Sequence, residues 1–224
     1  MFSRVAITLS KGTRGDSHVA GGGSVVHASG ARFTRGFSVL ELLIVVGIGI
    51  TIVAIAMPSF INTFYSIRLK SAASNLSALM QQARIQAARQ NKTYSIAYDT
   101  TSSPQKACID LDNNARCDPG ETVITFTLSI SMSTTGAPAG AGAPPAYVLV
   151  GDTAGTTYDN TTILGYSARG LPCAYTPGNC PTPAAGYFVY YIKDSRVGST
   201  GWAGVVVTRS GRTKPVIWDG TSWQ

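Results

Sequence analysis

The chain is poor in charge and almost without histidine. Only 13% of its 224 residues are Asp, Glu, Lys or Arg, and its two histidines, His18 and His27, both fall in the first 36 residues. Beyond that stretch no Ser/His/Asp or Cys/His set can be assembled. No phosphate-binding glycine motif sits between a strand and a helix, and the scattered acids form no evident acid–base pair. These absences exclude the commonest hydrolytic and nucleotide-dependent chemistries, so the chain reads as a non-enzyme. It also lacks internal repeats and any regular alternation of strand and helix periods, which excludes solenoids and doubly wound sheets.

The charge that is present is uneven. Of the net +7, the first 36 residues hold +4, from Arg4, Lys11, Arg14, Arg32 and Arg35 against Asp16, which leaves +3 for the rest. The basic character is largely that of the N-terminal stretch and is weak support for nucleic-acid binding. A hydrophobic content of 44% is too high for a disordered chain and suits one folded domain carrying a membrane segment.

Residues 1–36 are polar and glycine-rich, with the run Gly21-Gly22-Gly23, and nothing in them predicts packing. Phe37 to Met57 is an apolar run about as long as a helix needs to cross a bilayer. Arg32 and Arg35 place its start on the cytoplasmic side, so the remainder is exported. Pro58 is expected to kink the helix rather than end it, because Leu69, Ala72, Leu76, Leu79, Ala83 and Ala87 then recur at steps of three and four. Arg68, Lys70, Gln82, Arg84 and Arg89 fall elsewhere on the helix surface. The helical pattern fades near Asn91.

From Thr93 the period changes to two. The predicted strands are Tyr94–Asp99, Thr122–Ile130, Tyr147–Val150, Thr161–Tyr166, Tyr187–Ile192, Ala203–Arg209 and Pro215–Trp218, with a low-complexity insertion at Gly136–Pro145. The expected fold is α+β: a long N-terminal helix, its first half in the membrane and its amphipathic second half packed on an antiparallel sheet domain. Four cysteines fall in two local pairs, Cys108 with Cys117 and Cys173 with Cys180. Their even number and close spacing suit two small disulfide loops in an oxidising compartment, whereas neither pair has the spacing of a zinc knuckle.

One charge, Glu41, interrupts the apolar run, and an ionisable group there is either functional or tolerated near the membrane surface. The stretch Arg35-Gly36-Phe37-Ser38-Val39-Leu40-Glu41-Leu42 resembles the processing site of type IV prepilins. That resemblance implies a leader at 1–36, cut between Gly36 and Phe37 by a prepilin peptidase, with N-methylation of Phe37. It implies a filament-core helix at 37–58, kinked at Pro58, and a periplasmic domain at 59–224. It also implies a Glu41 that pairs with the Phe37 amine of a neighbouring subunit, so that two opposite charges in low dielectric offset each other's desolvation and set the assembly register.

The helix end Ala83-Arg84-Ile85-Gln86-Ala87-Ala88-Arg89-Gln90-Asn91, the segment Tyr166-Ser167-Ala168-Arg169-Gly170-Leu171-Pro172 and the terminal Trp223 are similar to the FimT and general secretion pathway protein H family of minor pilins and pseudopilins. The resemblance implies a single-pass protein of the bacterial inner membrane that assembles with other pilins into a type II secretion pseudopilus or a type IV pilus tip, where secreted proteins are potential partners. Some pilus members bind DNA through a basic motif in the last hairpin, matched here by Arg209, Arg212 and Lys214, with lysine in place of an arginine. The rival reading of that hairpin is an ordinary solvated turn.

The N-terminal run also admits a different cut. Ala54-Ile55-Ala56 looks like a signal-peptidase site, and cleavage after Ala56 would release a soluble periplasmic protein. Asp110, Asp112, Asn114, Asp118 and Glu121 have the ligand spacing of a calcium-binding EF-hand loop. Ala115 stands where that loop needs glycine, and no flanking helices are predicted. The residues favour a disulfide-stapled Asx turn in a β-hairpin, with no cofactor.

Overall fold

The computed structural model describes residues 38–138 and 156–224. The predicted strand Tyr147–Val150, most of the 136–145 insertion, Gly36 and Phe37 lie outside the described residues.

A single helix, α1 (Val39–Gln90), continues through Pro58. It ends where Asn91 turns left-handed (φ 51°) and the Lys92 amide reaches back to the Ala87 carbonyl at 3.1 Å, a Schellman-type cap. Burial on α1 begins at Leu69 and takes in Ala72, Ala73, Leu76, Leu79, Met80, Ala83 and Ala87. All six residues expected on the apolar face are therefore in the core, joined by Ala73 and Met80.

Among the described residues ten strands follow: β1 (Tyr94–Asp99), β2 (Lys106–Asp110), β3 (Val123–Thr125), β4 (Ile130–Met132), β5 (Thr156–Tyr158), β6 (Leu164–Tyr166), β7 (Pro172–Ala174), β8 (Gly186–Asp194), β9 (Trp202–Val207) and β10 (Thr213–Ile217). They form two sheets where one is expected from the sequence, ordered β3-β2-β1-β6-β7 and β10-β9-β8-β4. Pairing is antiparallel except for β5, which runs parallel to β8. The expected strand at Thr122–Ile130 is split into β3 and β4 by a turn after Phe126, closed by the Ile130 amide on the Thr127 carbonyl at 2.8 Å. Strands β2, β5 and β7 carry no clear signal in the sequence, because each is short and bounded by turn residues.

The second sheet is covered on both faces, as its near-continuous apolar sequence demands. Phe188, Tyr190 and Ile192 of β8, with Ala203, Val205 and Val207 of β9, face the same core as α1. The alternate residues Tyr187, Val189, Tyr191, Trp202 and Val206 form a second cluster with Val216 and Trp223. The tail closes that cluster by folding back, with reciprocal bonds between Ile217 and Gln224. At Gly186 any Cβ would stand 1.5 Å from the Thr156 carbonyl oxygen, so the parallel approach of β5 requires glycine there.

Asp194, at the end of β8, is fully buried and bonded twice by the Arg196 guanidinium, at 3.0 and 2.8 Å; Arg196 in turn lies over the Tyr65 ring of α1 at 4.4 Å. Burial pushes the Asp194 carboxyl up, but the hydrogen bonds and charge of Arg196 outweigh it and hold the group below the ordinary carboxylate range. A depressed folded value means that the carboxylate stabilises the fold above its unfolded value, about 4, and loses that contribution as pH falls through the lower folded value. We expect Asp194→Asn to cost about 1–3 kcal/mol at neutral pH. Thermal melts from neutral to strongly acidic pH should show a smaller acid-side fall for this variant than for the parent.

Candidate functional site

At the start of α1 the Ser38 hydroxyl accepts the Leu40 amide at 3.3 Å, and the Leu42 amide reaches the Ser38 carbonyl at 3.1 Å. Ser38 is thus the N-cap, and Glu41 stands three residues on, in the first helical turn. This is the serine-x-x-glutamate spacing of a capping box, and a carboxylate there is also favoured by the helix dipole.

The acidic loop joins β2 to β3, a hairpin pair, with no helix on either side. Carboxylate oxygens of Asp110, Asp112 and Glu121 lie within 4.8 Å of one another. They are engaged with neighbouring donors. Asp110, fully buried, accepts from the amides of Asn114 and Ala115 at 3.1 and 2.8 Å and from the Ser95 hydroxyl at 3.1 Å. Glu121 receives the Leu111 amide on one oxygen and the Asp118 amide on the other. The Asn114 side-chain amide bridges Asp112 and Asp118 at 2.9 and 2.6 Å. Ala115 adopts φ 63°, so the sharp turn forms without the expected glycine. The Cys108–Cys117 disulfide closes the loop, and Cys173–Cys180 closes a second loop after β7. Beside the acidic loop, the Ser102 and Thr101 donors hold the Asp99 carboxyl down at about 2.

The third constellation lies at the C-terminal end of α1. Ser167–Leu171 and Thr208–Arg212 are turns of the same kind. In each, the first residue's amide donates to the fifth residue's carbonyl, at 2.9 Å in both, and the fourth is a left-handed glycine, Gly170 (φ 72°) or Gly211 (φ 83°). Arg84 bridges them. Its Nε donates to the Gly170 carbonyl at 3.0 Å and a terminal nitrogen to the Gly211 carbonyl at 2.9 Å. Gln81 adds bonds to the Gly211 carbonyl and the Thr213 hydroxyl. Arg84, placed on the helix surface by its sequence position, is half-buried between the turns. Its periodicity gives no warning, because the fork reads backbone carbonyls that come together only on folding.

The hairpin residues expected to be basic contacts differ in state. Arg209 is half-buried and donates to the Ala184 carbonyl at 2.9 Å, whereas Arg212 and Lys214 are exposed. Arg169, on the first of the two bridged turns, is also exposed.

Comparison with known families matches residues 72–211 to the family described as Type II transport protein GspH. Among solved structures, the chain is similar to the type IV minor pilin FimU of Pseudomonas aeruginosa (strain PAO1), at 15% identity and a TM-score of 0.40, over 70% of this chain and 92% of that one. Comparison with curated proteins gave no match. The family match spans more than half of the chain, from the buried face of α1 through β9 to the turn at Gly211, and the chain belongs to the GspH family of type II transport proteins.

Proposed function

We propose that this protein is a minor pilin or pseudopilin, made with the leader 1–36, cut between Gly36 and Phe37 by a prepilin peptidase and N-methylated at Phe37. It is held in the bacterial inner membrane by the first part of α1, with residues 59–224 in the periplasm. From there it assembles with other pilins into a type II secretion pseudopilus or a type IV pilus tip. The role is one of assembly and binding, without catalysis.

The observation that carries this reading is the bare apolar half of α1. Val39–Met57 is long and apolar enough to cross a membrane, and none of it is buried in the chain's own fold. The apolar surface does not stop there: Phe60, Ile61, Phe64 and Ile67 are also exposed. A bilayer core accounts for about 20 residues. The additional apolar turns call for other helices of the same kind, which is what a filament core supplies. The helix is unbroken at Ala56, which favours an anchor over a signal peptide cut there. In this reading Glu41, in the first turn of that helix, meets the N-terminal amine of an incoming subunit.

A second reading is favoured by Arg212, which is exposed on the turn of the last hairpin with no acid bonded to it among the described residues. In that reading the protein also holds DNA, as in natural transformation, through Arg212 and Lys214, with Arg209 bracing the hairpin. For the acidic loop we propose a turn closed by its own amide bonds and the Cys108–Cys117 disulfide, with no calcium ion required.

Three outcomes are expected. Mass spectrometry of the mature protein should find an N-terminus at methylated Phe37; one at Met57 would sink the membrane-anchored reading. Glu41→Ala should be processed normally yet enter filaments poorly, read as the ratio of sheared-filament to membrane pools, and normal incorporation would remove its assembly role. The melting temperature should be the same in millimolar calcium and in chelator, whereas a calcium-dependent rise would make Asp110, Asp112, Asn114, Asp118 and Glu121 a metal site.

A further inference from the structure

The basic residues near Arg84 come from stretches of the sequence nearly devoid of acid. No Asp or Glu occurs between Glu41 and Asp99, so the whole water-facing part of α1 carries only positive charge, at Arg68, Lys70, Arg84 and Arg89. Between residues 160 and 218 there are six basic side chains and one acid, Asp194, which is bonded to Arg196. The two turns that Arg84 bridges are in contact: the Gly170 carbonyl oxygen lies 3.3 Å from where a Cβ on Gly211 would stand. Arg169 precedes the first of these glycines and Arg212 follows the second. Both are exposed, and neither side chain has a hydrogen bond or ion pair among the described residues.

We propose that Arg169 and Arg212 form one two-part contact surface for the phosphate backbone of double-stranded DNA, and that Arg84 is the positioning residue that holds the two parts together. This rests on the DNA reading above and adds to it a second turn, distant in sequence, and the residue that joins the two. Arginine suits such a surface because its planar fork bonds phosphate oxygens in pairs. Two guanidinium groups on touching turns match a ligand whose charges repeat every few ångströms, which a lone anion does not offer.

The alternative polyanion, a headgroup layer, is disfavoured by distance. Arg84 lies 27 residues along α1 from Met57, which at about 1.5 Å per residue is about 40 Å beyond the end of the apolar span. Both turns stay on the surface through their own backbone bonds, so truncating Arg169 or Arg212 should leave the fold intact. Arg84→Gln tests the joint, because it removes the fork while keeping an amide donor.

The test uses the full-length protein in non-ionic detergent and a short random-sequence DNA duplex, with affinity read by fluorescence anisotropy across a salt series. The wild type should bind in the micromolar range or weaker at moderate salt, as sequence-independent binding does, with roughly 10⁻⁴–10⁻⁶ M expected. Arg169→Ala and Arg212→Ala should each weaken binding several-fold and reduce the salt slope by about one. The double variant should depart from the product of the single effects, and that departure should vanish in an Arg84→Gln background, which a merely stabilising Arg84 would not produce.

If the wild type does not bind DNA, both this proposal and the DNA reading fail. If Arg212→Ala weakens binding and Arg169→Ala does not, the hairpin reading stands and this proposal falls. Stronger binding to phosphatidylglycerol vesicles than to DNA, lost in Arg169→Ala, would assign the surface to a membrane instead. Unchanged coupling in Arg84→Gln would overturn the role given to Arg84.

Discussion

One face of one helix organises the folded domain. The eight buried apolar residues from Leu69 to Ala87 supply the common surface on which strands of both sheets close: Tyr94, Ile96, Ile109, Leu164 and Tyr166 from one, and Phe188, Tyr190, Ile192 and Val205 from the other. Small residues, Ala72, Ala73, Ala83 and Ala87, let the sheets come close, and Leu76, Leu79 and Met80 fill the space between. Emptying a site such as Leu76 would cost about 2–5 kcal/mol, a large share of the stability of a domain this size. Among the described residues, the same helix buries no apolar side chain N-terminal to Leu69.

The far end of the helix carries a second kind of contact. Arg84 joins two turns by their backbone carbonyls, so helix and turns are fixed to each other by a charge-assisted fork rather than by apolar packing. Carbonyls of left-handed glycine turns point outward and need partners, and a guanidinium supplies several donors at once. The side chains beside those glycines are then presented outward together. Along α1 this end lies well beyond the exposed apolar span that finishes at Met57.

Charge is segregated in the same way. The acids cluster in the β2–β3 loop, where amides and the Cys108–Cys117 bond hold them, while the helix and the two bridged turns are basic. The two bridged turns touch at Gly170 and Gly211, which brings their exposed arginines, Arg169 and Arg212, to the same end of the helix.

Much of this is legible in the sequence. The helix, its apolar face from Leu69 to Ala87, the period change at Thr93, the cysteine pairing and the strands at Tyr94, Tyr187 and Ala203 follow from local periodicity and spacing, which the backbone obeys wherever the segment is long enough. Short strands such as Lys106–Asp110 and Pro172–Ala174 are not legible, because three to five residues carry too little pattern. The division into two sheets, the parallel run of β5 beside β8, and the forced glycine at 186 depend on which strands meet. The left-handed turn at Ala115 runs against what its residue type suggests, because amide bonds to Asp110 offset the strain of a Cβ there. The joining of Arg84 to the turns at Gly170 and Gly211 is beyond any reading along the chain: residues 84, 170 and 211 are brought together by folding alone, and the donor–acceptor geometry between them exists only in the tertiary structure.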